Sequence, residues 1–150
     1  MQSTTSVTQP AAASFAPAAT TWLKLAIAYL IVGIGFGIAM GATENFTLRP
    51  VHAHINLLGW TTMALAGLIY SVYPKAAESR LATIHFWLHN AALPVMGASL
   101  TVLLLGDARA VPFLVTSEFV AAAGVLVFAC NIFFNVELSS ARSAKAPQRA

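Results

Sequence analysis

Four long apolar stretches are the feature that most constrains how this chain can fold. They lie at about residues 22–41, 50–74, 80–106 and 112–136. Each is at least as long as the roughly 20 residues that an α-helix needs to cross the hydrocarbon core of a bilayer. In lipid, a chain must satisfy its backbone hydrogen bonds internally, as helices and closed barrels do. We therefore predict an all-α membrane protein, a four-transmembrane-helix bundle with one domain over residues 22–136.

The composition supports this class and argues against nucleic acid as a partner. Hydrophobic residues make up 58% of the chain and charged residues 9%, whereas a soluble domain averages about 25% charged residues. The formal net charge is +3, but the basic residues sit mostly at helix ends, where they set topology and meet lipid headgroups. The low charge and high hydrophobic content make the lipid bilayer the expected environment. The single cysteine, Cys130, excludes an intrachain disulfide.

The flanking segments predict the orientation. Residues 1–21 are rich in Ala, Ser, Thr and Pro and carry no charge, which predicts a disordered leader. Residues 137–150 form a basic tail. The side of the membrane that holds both termini would carry Lys24, Lys75, Arg80, Arg142, Lys145 and Arg149. The opposite side would carry only Arg49 and Arg109. This bias predicts both termini in the cytoplasm, with the chain in a bacterial inner membrane.

Small and aromatic residues predict packing within the membrane. Gly33, Gly37 and Gly41 recur every four residues on the first span, a ridge that lets another helix approach closely, in the same chain or in an oligomer. Tyr70 and Tyr73 lie near the end of the second span and are expected in an aromatic belt.

All four histidines of the chain fall inside predicted spans. His52 and His54 lie on the second span, and His85 and His89 on the third. Ionisable residues at this depth are expensive and usually mark a functional site. A single histidine could serve as an interhelical hydrogen-bond donor. Four together favour the ligation of a metal or cofactor.

The spacing of the histidines limits what they can ligate. His85 and His89, four residues apart, project from one helix face and suit two ligands of one metal ion. They cannot supply both axial ligands of one heme. His52 and His54 lie about 200° apart on their helix and can serve two centres, one on each side. A bis-histidine heme must therefore be completed by another helix or another copy of the chain.

The stretch HAHINLLGW, residues 52–60, resembles the His-x-His helix of subunit I in the heme–copper oxidase superfamily, particularly the C-type oxidases and nitric-oxide reductases. The resemblance implies that His52 faces a high-spin heme and His54 a low-spin heme. RPVH, residues 49–52, also resembles the start of the family's other low-spin heme helix, so His52 could instead hold that role. WLHNAALP, with His89, is similar to the helix that supplies a copper or non-heme iron ligand.

The departures from this family predict an assembly. Subunit I has twelve spans in three arcs of four, and its adjacent histidine pair and crosslinked His–Tyr feature have no counterpart here. One chain therefore cannot be a complete oxidase. Because four spans are one third of twelve, the resemblance implies a homotrimer with hemes between neighbouring chains. A homodimer is the main rival.

Five further residues are candidates around these sites. Arg49 could pair with heme propionates or anchor the membrane edge. Trp60 could flank a porphyrin or simply pack. Glu118, inside the fourth span, could orient a histidine ring from outside the metal shell or relay a proton. Asn56 and Asn90 could hydrogen-bond ring nitrogens or backbone.

These patterns predict a heme b-binding membrane cytochrome, with noncovalent heme because no C-x-x-C-H occurs. Two axial histidines would give electron transfer, and an open axial position would give oxygen or nitric-oxide chemistry. Electrons would come from a quinol or a periplasmic carrier. One alternative is a metal-ion or proton transporter with His85, His89 and Glu118 lining its path. Another is a non-catalytic accessory or assembly subunit.

Overall fold

The computed structural model describes residues 17–136, and within that range the chain is helical with no strand. The helices are α1 (Pro17–Thr43), α2 (Arg49–His54), α3 (Met63–Val72), α4 (Pro74–Ala77), α5 (Arg80–Leu104) and α6 (Val111–Asn135). A π-helical segment, Ile55–Thr62, joins α2 to α3 without a break and is called the π segment below. A single 3-10 turn, Ala108–Ala110, precedes α6.

Four helical runs are long and apolar enough to cross a membrane. They are Ala19–Thr43, Arg49–Val72, Arg80–Leu104 and Ala108–Asn135. The second run consists of α2, the π segment and α3. By length and composition, these runs confirm the predicted all-α class and the four predicted spans.

The observed ends differ from the predicted ones by up to five residues, and two of the differences have a clear local cause. α1 begins at Pro17, so residues 17–21 of the expected leader are helical; proline is well tolerated in a first helical turn. α5 ends at Leu104, because Gly106 has a φ of +104°, a conformation that glycine adopts without steric cost. The amides of Gly106 and Asp107 donate back to the carbonyls of Leu103 and Val102, which closes the helix. Residues 1–16 and the basic tail lie outside the described residues.

Consecutive spans pack in pairs. α1 packs along α3 and the π segment, and α5 packs along α6. Glycines permit the close approach: a Cβ added at Gly67 would lie 3.0 Å from Leu23 Cγ, and one at Gly124 would lie 3.4 Å from Leu88 Cβ. We call the end of the bundle where α1 begins and α4 lies the α4 end, and the opposite end, where α2 begins, the Arg49 end.

A short polar loop joins α5 to α6 at the Arg49 end. Asp107 accepts hydrogen bonds from the backbone amide and the guanidinium of Arg109. These bonds hold the pKa of Asp107 below its usual value. The Arg109 side chain is exposed and the Asp107 side chain is partly exposed, so the pair orders the loop rather than the core.

Candidate histidine sites

His52 is oriented by the first span. Its Nδ1 lies 2.9 Å from the carbonyl oxygen of Gly33. Because a carbonyl only accepts, Nδ1 carries the proton, and Nε2 of the neutral ring keeps its lone pair. α1 can come this close because Gly37 has no side chain. A Cβ at this position would lie only 3.2 Å from His52 Cε1. Asn56 donates to the His52 carbonyl at 2.8 Å and stands 3.3 Å from Nδ1.

The glycine ridge therefore has its close neighbour within the chain. A Cβ at Gly33 would lie 2.5 Å from Asn56 Oδ1, and Gly37 faces His52, whereas a Cβ at Gly41 would meet nothing within 4 Å. Two of the three ridge glycines thus create the space in which His52 and Asn56 lie.

His54 is held in the same tautomer by a local contact. Its Nδ1 lies 2.8 Å from the carbonyl oxygen of Pro50, four residues earlier, so Nε2 again keeps the lone pair. Both histidines belong to one α-helix and are two residues apart, which directs them to opposite faces. Both are half-buried, and within the described chain neither Nε2 makes a hydrogen bond. A histidine that donates one ring N–H to a carbonyl is in the form that ligates a metal through the other nitrogen.

The other predicted members of this site are Arg49 and Trp60. Arg49 is exposed, and its guanidinium lies 5.3 Å from the centroid of the Phe46 ring, so its charge remains available at this end of the bundle. Trp60 lies in the π segment, half-buried against the hydrophobic core. Among the described residues it makes no ring contact with His52 or His54, which agrees with a packing role.

His85 and His89 are fully buried in the other half of the bundle, each 1% exposed. Their ring centroids are 5.7 Å apart on one face of α5, as their spacing predicts. The Trp22 ring stacks on His85 with centroids 4.6 Å apart, and Phe128 packs at 4.8 Å. Rings from α1 and α6 therefore pack on His85, and the Trp22 ring also meets the His89 ring edge to face, with centroids 5.7 Å apart.

A hydrogen-bond network fixes the direction of the His85 contacts. Asn131 Nδ2 donates to the Ala76 carbonyl at 3.0 Å and to Tyr70 Oη at 3.3 Å. The phenol thus accepts from Asn131, and its own proton points to His85 Nδ1, 3.0 Å away. In this arrangement Nδ1 of His85 accepts and Nε2 carries the ring proton. That Nε2 is buried and has no partner within the described residues.

His89 has the opposite arrangement, with a ring nitrogen that can accept a hydrogen bond left unpaired. Its Nε2 donates to the carbonyl oxygen of Leu58, in the π segment, at 3.0 Å. Its Nδ1 therefore keeps a lone pair, and this atom too is buried without a partner in the described chain. Buried polar groups in proteins are nearly always hydrogen-bonded, so the unpaired donor and the unpaired acceptor on these adjacent rings leave room for a water, an ion or a ligand as their partner. To bind a metal through both rings, His85 would have to move its proton to Nδ1, toward Tyr70.

The two histidine pairs form two separate sites. His52 and His54 lie in the first two turns of the second span, near the Arg49 end. His85 and His89 lie in the first three turns of α5, which begins at the α4 end. Residues 17–136 contain no group of three or more His, Cys, Asp or Glu side chains that could hold one metal ion.

Of the remaining candidates, the structure brings only Asn56 to a histidine side chain. Asn90 donates to the carbonyl of Phe86 at 2.8 Å. Glu118 is exposed on the outer face of α6, two turns after its start, while His85 and His89 are buried. The three residues proposed to line a transport path are therefore not brought together within this chain.

Sequence reasoning missed the residues that surround His85. Tyr70, expected in an aromatic belt, is fully buried, as are Trp22 and Asn131. The sequence could have indicated Asn131, because an amide in an apolar span must find hydrogen-bond partners inside the protein. It gives no such indication for Trp22, since aromatic residues are common at the ends of membrane helices.

Comparisons with known proteins give no assignment. No family model matches this chain, and no curated protein or solved structure matches it. The described residues of the chain itself, above all the geometry of its histidines, are therefore the only guide to its function.

Proposed function

We propose that this chain is a membrane cytochrome that binds heme b through His52 and His54. One observation carries the proposal: both rings donate Nδ1–H to a backbone carbonyl, at 2.9 and 2.8 Å, and leave Nε2 with a lone pair. In the neutral ring this tautomer leaves Nε2 free to bind iron, and the backbone carbonyl orients the ring. The chemistry of these two side chains therefore fits that of protein ligands to heme iron.

Any further protein ligand to a heme held by His52 or by His54 would come from another copy of the chain. His52 and His54 point to opposite faces of one helix, and His85 and His89 lie in the other half of the bundle. We propose a homotrimer, with a homodimer as its rival and with hemes between chains. Glu118 supports an assembly, because an exposed carboxylate two turns into a membrane helix is costly unless a neighbouring chain covers it.

Heme bound at these histidines supplies one-electron chemistry, and its potential depends on ligand identity and burial. The chain's own contribution is orientation. The Gly33 carbonyl fixes the His52 ring and the Pro50 carbonyl fixes the His54 ring, while the exposed Arg49 guanidinium offers a positive charge for carboxylates such as the heme propionates. We propose both termini in the cytoplasm of a bacterium, with a quinol or a periplasmic carrier as electron donor.

A second centre, for copper or non-heme iron, is proposed at His85 and His89. It is favoured by the two buried ring nitrogens that have no partner in the described chain. At most two histidine ligands are available there, so the remaining ligands would be exogenous or come from outside this chain.

The test is the absorption spectrum and metal content of the full-length protein purified in detergent. We expect a Soret band and the reduced α-band of low-spin heme b. His52→Ala or His54→Ala should abolish the low-spin spectrum, whereas Cys130→Ala, at an exposed position on α6, should leave it unchanged. Full heme retention in the double variant His52→Ala/His54→Ala would exclude these ligands.

The same measurement separates the alternatives. A colourless protein that contains copper or zinc would favour a metal-ion centre or transporter over a cytochrome. A colourless, metal-free protein would favour an accessory or assembly subunit.

A further inference from the structure

A groove runs along the outside of the bundle between α5 and α6, from the Arg49 end toward the middle. It consists of two cavities of about 400 Å³ each, whose linings share Val95 and Phe113. The exposed side chains of Val95 and Phe113 form its walls. Small buried side chains form its floor, namely Ala92, Ser99, Ala110 and Ser117. We call this feature the α5–α6 groove.

The length of the α5–α6 groove matches one leaflet of a bilayer. On the α6 side its lining reaches from Ala110 to Val120, which corresponds to about 15 Å at a rise of 1.5 Å per residue. The hydrocarbon core of a bilayer is about 30 Å thick, so one leaflet contributes about half of that. A lipid of the leaflet at the Arg49 end can therefore lay an acyl chain along the whole groove.

The polar side chains within the groove favour a hydrocarbon occupant. Ser99, Thr116 and Ser117 belong to the lining, but each hydroxyl donates to a backbone carbonyl of its own helix, at 2.6, 2.7 and 2.8 Å. A hydroxyl carries a single donor hydrogen, which is used here. The groove thus offers no hydroxyl proton to a polar ligand, whereas an acyl chain needs none.

Opposite charges lie side by side at the mouth of the groove. Asp107 and Arg109 are its charged lining residues, and Asp107 lies between the third and fourth spans. Arg109 directs its Nε–H and one Nη2–H to Asp107. Three of the five guanidinium N–H groups therefore remain without a partner among residues 17–136. The side chain of Arg109 is 91% exposed and that of Asp107 is 37% exposed, so both can still be reached by a ligand.

We propose that the α5–α6 groove binds one molecule of phosphatidylethanolamine. An acyl chain lies in the groove, the phosphate accepts from the free N–H groups of Arg109, and the ammonium group donates to Asp107. Phosphatidylglycerol has no cation for Asp107. The quaternary ammonium of phosphatidylcholine has no N–H to donate. The paired charges at the mouth thus match a headgroup that carries both a phosphate and a primary ammonium.

A second copy of the chain is a less suitable occupant. The proposed assembly has to cover Glu118, which lies two residues from Thr116 and therefore about 200° around α6. An interface at Glu118 leaves the α5–α6 groove open to lipid. The lipid proposal requires membrane-spanning helices and is independent of heme.

The experiment titrates the delipidated full-length protein with phosphatidylethanolamine, phosphatidylglycerol and phosphatidylcholine of identical acyl chains, and detects bound lipid by native mass spectrometry. We expect one phosphatidylethanolamine per chain, bound at least about threefold more tightly than either other lipid. Arg109→Gln removes the phosphate contact and should weaken binding of all three lipids by about fivefold. Asp107→Asn removes the carboxylate and should abolish the preference for phosphatidylethanolamine.

Ala98→Leu tests the groove itself. This exposed residue belongs to the lining, and the added bulk should weaken binding of all three lipids by about threefold, since packing is what favours the groove over surrounding lipid. Two substitutions at exposed positions outside the groove are the controls and should leave binding unchanged. They are Ala122→Leu for the added bulk and Arg80→Gln, at the α4 end, for the lost charge.

Three outcomes would overturn the proposal. The first is an affinity for phosphatidylethanolamine no higher than that for the other two lipids. The second is lipid binding that Arg109→Gln and Ala98→Leu both leave unchanged. The third is a lower oligomer mass in Ala98→Leu with unchanged lipid binding, which would assign the groove to a second copy of the chain.

Discussion

Gly59→Ala tests the close approach of α1 to the second span. A Cβ at this position would lie 2.7, 2.8 and 2.9 Å from Cγ, Cβ and Cδ1 of Tyr29. Carbon atoms normally pack at about 3.5–4.0 Å, so the overlap is close to 1 Å. These tyrosine atoms are near the backbone and cannot swing aside as a side-chain terminus can. The helices must separate, and overpacking of this kind costs about 1–3 kcal/mol.

Gly35→Ala is the matched control, because a Cβ there would meet nothing within 4 Å. Both substitutions gain the helix propensity of alanine over glycine, about 1 kcal/mol, so the difference between the variants isolates the clash. We expect Gly59→Ala to be less stable than Gly35→Ala by about 1–3 kcal/mol. The assay is reversible unfolding in mixed micelles by titration with sodium dodecyl sulfate, followed by circular dichroism. Equal free energies of unfolding for the two variants would refute the packing argument.

Two further predictions concern polar groups in the spans. Tyr70→Phe keeps the ring but removes the hydroxyl that bonds His85 Nδ1. It should lower the free energy of unfolding by about 0.6–1.7 kcal/mol in the same assay. Tyr29→Phe is the control, and an equal effect of both substitutions would contradict the hydrogen-bond network. Glu118→Leu should convert the proposed oligomer to monomers in native mass spectrometry, whereas Glu78→Gln, at an exposed position outside the spans, should not. An unchanged oligomer mass in Glu118→Leu would place Glu118 outside the interface.

Features that depend on nearby residues could be predicted from the sequence. The four spans follow from the length of apolar stretches, and the opposite directions of His52 and His54 follow from their spacing on one α-helix. The shared face of His85 and His89 follows in the same way. None of these requires knowledge of how the helices pack.

The surroundings of the histidines could not be predicted, because they depend on contacts between distant segments. Tyr70 illustrates the reason. The π segment before it forms i→i+5 turns, so every residue after Thr62 is rotated from the face that a regular α-helix would give it. Tyr70 therefore turns inward to His85 instead of facing lipid, and its partner Asn131 lies 61 residues further along the chain.

The pairing of consecutive spans has a consequence for the order in which the sites form during synthesis. The bond from His52 to Gly33 lies wholly within the first hairpin, formed by α1 and the second span, and can form before the rest of the chain is made. The enclosure around His85 draws Trp22 and Tyr70 from that hairpin and Phe128 and Asn131 from the last helix. It is complete only when both hairpins have met, so the buried pair cannot acquire an occupant until the whole bundle is assembled.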